Sequence, residues 1–273
     1  MGVLDFIRLL KSSVIIVSLT LVCALIVLVV GFLGLISGKR VGPGDSFGFA
    51  ARVRRWWASA ILFLHGIRIQ VDGPGKAELL SPEGLIITSN HQSALDIFVS
   101  SLVCPNNSFF LAKRELLLIP FFGWAAALGH TVFVDRRQGV KDEAAIESVR
   151  KLLARGDNLI IYPEGTRSRS RKMGKFKRGA FVMAIQLQKA VLPMSIQNSI
   201  DLTGRFQLSL RPGVLRVWID RPVPVSGLSL EDRFDLAEKL QKIIQSNLES
   251  SSEGSALESK LDQSSEKLET GVS

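Results

Sequence analysis

The stretch Leu85-Ile86-Ile87-Thr88-Ser89-Asn90-His91-Gln92-Ser93-Ala94-Leu95-Asp96 decides the fold. Leu85–Thr88 is a short continuous apolar run, the pattern of a strand buried on both faces. A polar turn follows, and from Ala94 to Val103 the apolar residues return at helical spacing. A buried strand leading through a turn into a helix is the repeating unit of an α/β domain. The same alternation continues outward in both directions. Ile67–Val71, His130–Val134, Asn158–Tyr162, Val191–Ile196 and Val214–Ile219 read as further strands, and Val140–Ala154, Gly179–Gln188 and Leu230–Leu248 as helices. The expected fold is a mixed α/β sheet flanked by helices, with no internal repeat.

Toward the N-terminus the pattern changes. Val14–Ile36 carries no charge and is broken only by small residues such as Ser18 and Thr20. At 1.5 Å per residue, roughly 20 such residues cross a hydrocarbon core of about 30 Å. The run is long for a secretory signal and no A-x-A-like cleavage site follows it, so it reads as a membrane anchor. Lys39, Arg40, Arg52, Arg54 and Arg55 follow it, against Arg8 and Lys11 before it, and this bias puts the domain on the cytoplasmic face. Trp56–Ile67 is a shorter apolar stretch that suits a membrane interface. A span and a hairpin dipping into one leaflet both fit. The resulting division is an anchor over 1–40, an interfacial segment over 41–66, the α/β domain over 67–248, and an acidic, disordered tail over 249–273.

The 273 residues carry a net charge of +9, with 34 Lys and Arg against 25 Asp and Glu. Because the tail is acidic, the remainder is more basic still, which favours anionic partners. Much of the positive charge lies in one run, Arg167, Arg169, Arg171, Lys172, Lys175, Lys177 and Arg178. Phe176 is its only aromatic and no nucleic-acid-binding motif accompanies it, so nucleic acid is excluded in favour of anionic lipid or phosphate. Two cysteines, Cys23 and Cys104, far apart in the chain, read as free thiols. The three histidines are scattered and neither HExxH nor CxxC occurs, so no metal site is expected.

Two turns at strand ends can carry chemistry. In the first, His91 in the turn and Asp96 in the first turn of the helix can meet, although five residues on one helix would hold them about 140° apart. Asp96 would then fix the imidazole tautomer, leaving the other nitrogen to take a proton from a substrate hydroxyl. An isolated H-x4-D arises readily by chance. The second turn is Tyr162-Pro163-Glu164-Gly165-Thr166-Arg167-Ser168, where Gly165 permits close backbone approach and Arg167 can grip an oxyanion bidentately. Gly44-Asp45-Ser46-Phe47-Gly48 matches a serine nucleophile elbow, but polar, turn-prone residues precede it where a strand is required. Leu116–Trp124 is strongly apolar and suits core, acyl-chain channel or membrane-facing surface equally.

These elements together resemble the glycerolipid acyltransferase family, of which the 1-acyl-sn-glycerol-3-phosphate acyltransferases are part. Asn90–Asp96 matches its N-H-x4-D motif, Phe110–Leu116 with Pro120 and Gly123 its second region, and Phe133-Val134-Asp135-Arg136 a further element. Tyr162–Ser168 matches F-P-E-G-T-R-S with Tyr for Phe, and Leu192-Pro193-Met194 the last motif. Five motifs in family order outweigh the chance reading of His91. The resemblance implies an acyltransferase that needs no cofactor beyond its co-substrate, an acyl-CoA or acyl-carrier-protein thioester, with lysophosphatidate as acceptor. It implies His91 and Asp96 as the catalytic pair, Lys113 and Arg167 on the acceptor phosphate, Glu164, Gly165 and Thr166 shaping that pocket, and Arg136 contributing. It leaves open another acceptor, such as glycerol-3-phosphate, another lysophospholipid or a lyso-aminolipid. A non-enzymatic membrane protein that binds anionic lipid is the remaining alternative.

Overall fold

A computed structural model describes residues 2–36, 45–135, 142–203 and 208–250. Seven strands form one sheet in the order β1-β7-β6-β2-β5-β3-β4. They are β1 (Ile67–Asp72), β2 (Ile86–Ser89), β3 (Ser108–Lys113), β4 (Val132–Val134), β5 (Asn158–Ile161), β6 (Val191–Gln197) and β7 (Gly213–Ile219). β2 to β6 run parallel, while β7 is antiparallel to β6 and parallel to β1. The sheet is therefore mixed, as the sequence predicts.

Alternation along the strands sorts side chains into two cores. Ile86, Leu159, Ile161 and Val191 pack with α5 (Glu143–Ala154), α6 (Gly179–Leu187) and α7 (residues 233–250). Ile87, Ile160 and Leu192 point to the other face, against α2 (Asp45–Leu64) and α3 (Leu95–Val103). Central strands buried on both faces explain why Ile86–Thr88 and Asn158–Ile161 read as unbroken apolar runs.

One strand is added to the sequence reading, one open reading is narrowed and one boundary is moved. β3 was not predicted as a strand, because its exposed end Lys113 and the apolar residues after it blur the boundary. The apolar Leu116–Trp124 forms a 3-10 turn (Arg114–Leu118) and the start of α4 (Phe122–Leu128). Leu118 (81% exposed) and Trp124 (50%) are not core. The last helix runs past Leu248 to residue 250, where Gln245 donates to Glu249 at 2.8 Å and Ser250 to the Ser246 carbonyl at 3.0 Å. Residues 251–273 of the predicted tail, and Lys39 and Arg40, lie outside the described residues.

The long apolar helix α1 (Val3–Ile36) includes a 32-residue window long and apolar enough to cross a membrane. One side of it packs on the domain: Ile16, Cys23, Ala24 and Val27 are buried. Both ends are held. Asp5 pairs with Arg211 at 3.5 Å, Ser12 Oγ accepts from the Leu210 amide, and at Gly31 the Leu128 side chain of α4 comes so close that a Cβ would stand 2.9 Å from it. The opposite side, including Ile7, Val14, Leu25 and Phe32, is exposed. Cys23 and Cys104 are both free and buried.

Candidate active site

Because β2 to β6 are parallel, their carboxyl ends share one edge of the sheet. The turn after β2 carries His91, that after β5 carries Tyr162–Ser168, and β3 ends at Lys113. β5 lies between β2 and β3, so two strand spacings, about 10 Å, separate the His91 strand from the Lys113 strand. Parallel α/β sheets place ligands at this edge.

His91 and Asp96 meet as the turn-then-helix argument requires. His91 Nδ1 lies 2.9 Å from Asp96 Oδ2, with the carboxylate fully buried and the imidazole 13% exposed. Asp96 sits in the first turn of α3, and the same Oδ2 accepts from the amides of Gln92 and Ser93, both at 2.8 Å. These amides hold the carboxylate still, which fixes the imidazole behind it. With Nδ1–H committed to Asp96, Nε2 is the acceptor.

The backbone of His91 is clamped as well. Its amide donates to Glu164 Oε1 at 2.6 Å, and its carbonyl accepts from the Ser168 amide at 2.9 Å. Glu164 Oε2 accepts from the Gly174 amide at 2.8 Å. Glu164 is buried, and burial pushes its carboxyl above the usual range, while the two amides pull it back. The second turn thus fastens the first. Tyr162 completes the join: its ring stacks on the imidazole, centroids 4.1 Å apart and planes at 16°. Its hydroxyl donates to the Asp96 carbonyl at 2.9 Å and pairs with Ser100 Oγ at 2.8 Å.

Gly165 has φ +74°, so the turn favours glycine, and the flexible end of the Lys177 side chain lies close beside it. Thr166 and Arg167 are exposed beside it. Burial, then the neighbouring Arg169, lowers the Arg167 guanidinium, and the charge on Asp96 opposes this. Lys113 is exposed at the end of β3. Arg136 lies outside the described residues. The basic run beyond Arg167 is not one open patch: Arg171 pairs with Asp201 at 2.6 Å and Arg178 lies over the Phe234 ring at 4.3 Å.

Three supporting residues carry roles that their sequence positions did not reveal. Asn90 donates to the Ile196 carbonyl at 2.9 Å and accepts from its amide at 2.8 Å, continuing the β2–β6 ladder with a side chain. Gln92 donates to the carbonyls of Ser170 and Arg171. Ser93 Oγ shares a hydrogen with Thr203 Oγ1 at 2.8 Å. Each partner lies more than 70 residues away, and local spacing carries no sign of it. His65 and His130 sit apart from this edge; His65 Nδ1 is 2.7 Å from the Ile61 carbonyl of its own helix. Asp45, of the rejected serine-elbow match, begins α2, and Gly44 lies outside the described residues.

An oriented imidazole, free at Nε2, with cationic side chains at the same sheet edge has the makings of a general base facing an anionic group. The relatives agree. Residues 68–197 match the model of the acyltransferase family. The chain is 34% identical over 182 residues to 1-acyl-sn-glycerol-3-phosphate acyltransferase alpha of Homo sapiens, covering 66% of this chain and 64% of that one. It is 32% identical over 197 residues to the Saccharomyces cerevisiae 1-acyl-sn-glycerol-3-phosphate acyltransferase, covering 68% and 63%. The matches thus span just under two thirds of these relatives' length. The fold is that of the 1-acyl-sn-glycerophosphate acyltransferase PlsC from Thermotoga maritima, with a TM-score of 0.68 at 21% identity over 89% of this chain and 98% of that one.

Proposed function

We propose that the protein transfers a fatty acyl group from a CoA or acyl-carrier-protein thioester to the sn-2 hydroxyl of 1-acyl-glycerol-3-phosphate, giving phosphatidate. The observation that carries the reading is the His91–Asp96 contact of 2.9 Å, with the imidazole clamped from behind and beside. His91 Nε2 takes the hydroxyl proton as the oxygen attacks the thioester carbonyl carbon. The C–S bond then breaks, and the leaving thiolate takes the proton back from the imidazolium. No acyl-enzyme is required. Arg167 and Lys113 would hold the acceptor phosphate, with Gly165 and Thr166 forming the turn after β5 and Arg136 contributing. The names of the relatives support lysophosphatidate as acceptor.

The exposed side of α1 is the natural bilayer contact. Asp5 and Gly31, about 39 Å apart on a straight helix, both touch the domain. That favours α1 lying along a membrane-facing side of the domain over a perpendicular span. The exposed Arg52 and Arg55 on α2 would meet anionic headgroups on the cytoplasmic face, each worth about 1 kcal/mol.

The test is transfer from labelled acyl-CoA to lysophosphatidate, wild type beside His91→Ala. Turnover is expected to fall by about 10² or more in the variant. A wild type silent with every thioester donor and acceptor would overturn the reading.

A further inference from the structure

A cleft runs along the outer edge of the sheet. There β4 pairs with β3 on one side and with no strand on the other among the described residues. The cleft lies between the end of α4, β4 and α5, and holds about 1400 Å³, much of it open to solvent. Three cations line it: Arg114 just beyond β3, Lys151 on α5 and Arg155 at its end. Lys151 meets Glu147 and Arg155 meets Asp157, each at 3.7 Å, longer than a close charge-assisted hydrogen bond. Asp142 is the one carboxylate among the described lining residues, and it already accepts from the amides of Asp135 and Ala145. The cleft is therefore basic.

Two rings complete the lining, those of His130 and Phe133. His130 stands at φ +61°, a conformation that costs any residue with a side chain and that the surrounding fold must hold in place. Burial, then the charge of Arg155, lowers its imidazole, so the ring is neutral at pH 7. The position of the cleft relative to His91 is set by strand order. Between β2 and β4 lie β5 and β3, so three strand spacings, about 14 Å, separate the His91 strand from the cleft. Arg114 directly follows Lys113, which puts one end of the cleft at the catalytic edge. A phosphopantetheine arm has about twelve bonds in line from its sulfur to its phosphate-bearing oxygen, as many as four extended residues, and so reaches ~14 Å.

From the charge, the rings and this distance we infer that the cleft binds the 3′-phosphorylated adenosine diphosphate of a CoA thioester, its phosphates on Arg114, Lys151 and Arg155 and its base against His130 and Phe133. The identity of the ligand rests on the acyl-transfer reading. Guanidinium groups suit phosphate oxygens bidentately, and an aromatic face suits a base. A concave cleft takes a small molecule, whereas a carrier protein docks through a broader surface. With the nucleotide beside β4, the arm runs along the sheet edge and brings the thioester to His91. Donor and acceptor phosphates then occupy separate basic groups, the donor's beside α5 and the acceptor's on Arg167 and Lys113.

The test is calorimetric titration of the full chain, held in phosphatidylcholine nanodiscs, with adenosine 3′,5′-bisphosphate, which carries no arm and no acyl group. Wild type and His91→Ala are expected to bind it alike. Ser148→Glu, which adds a carboxylate to the cleft from the exposed side of α5, and Lys151→Gln should each bind it about tenfold more weakly, the loss of about one charge-assisted contact. In turnover, both variants should raise KM for acyl-CoA by the same factor and KM for acyl-pantetheine, which lacks the nucleotide, far less. A general loss of structure would move both constants together. Wild-type binding of the bisphosphate by both variants, or equal KM for acyl-CoA and acyl-pantetheine in wild type, would overturn the site. So would turnover with an acyl-carrier-protein thioester and none with acyl-CoA. Bisphosphate binding that follows the cleft variants in a chain that transfers no acyl group supports the site and removes the transfer reading; transfer from acyl-CoA without such binding does the reverse.

Discussion

His91 is immobilised from three sides, and the three restraints can be separated by substitution. Tyr162→Phe keeps the ring over the imidazole and removes the hydroxyl that joins the Asp96 carbonyl to Ser100. The expected loss is about 1 kcal/mol of stability, the worth of an ordinary hydrogen bond, with turnover reduced only modestly. Tyr162→Leu also removes the stacked ring and should lower kcat well beyond the phenylalanine variant at similar stability; thermal melts beside initial rates check both. The role proposed for Arg167 is on another part of the reaction, the acceptor phosphate. It is exposed at the turn after β5, so Arg167→Ala should leave the fold intact. It should raise KM for the phosphate-bearing acceptor more than KM for the thioester. Equal rises in both constants would remove Arg167 from the phosphate.

Between elements, the working unit is a pair of turns rather than either turn alone. The β2–α3 turn supplies the imidazole and its carboxylate, and the β5 turn supplies the clamp through Glu164 and Ser168. β2 and β5 are neighbours in the sheet, so the clamp follows from strand order. On the other side β2 borders β6, and Asn90 fastens the turn there by exchanging two hydrogen bonds with Ile196. Asn90→Asp is nearly isosteric but sets an oxygen against the Ile196 carbonyl. The expected cost is about 1–3 kcal/mol, that of a buried polar group left without its partner, read as a lower melting temperature. Turnover should fall with it, since His91 is the next residue. Wild-type stability in this variant would show that the side chain does not hold the turn.

For the whole molecule, α1 packs on the domain along one side and leaves an apolar side exposed. Removing residues 1–36 would expose Ile61 and Leu62 of α2 and the space filled by Ile16 and Val27. Each large apolar side chain uncovered costs about 1.5–3 kcal/mol. The truncated chain is expected to aggregate rather than yield a soluble, active domain; a monodisperse, folded product on gel filtration would contradict this. The apolar runs at Leu85–Thr88 and Asn158–Tyr162, the helical spacings and the H-x4-D motif are local patterns, set by side-chain periodicity and turn chemistry, and the sequence by itself determined them. It also determined that the charge-free run Val14–Ile36 before the domain is helical, because hydropathy over so long a run has few other outcomes. Strand order is different. That β5 sits beside β2, bringing Glu164 to the His91 amide and Tyr162 to its ring, depends on contacts across more than 70 residues. Local pattern fixes which residues can form an element, whereas the pairing of elements depends on burying two faces of one sheet at once, and only the tertiary structure decided that.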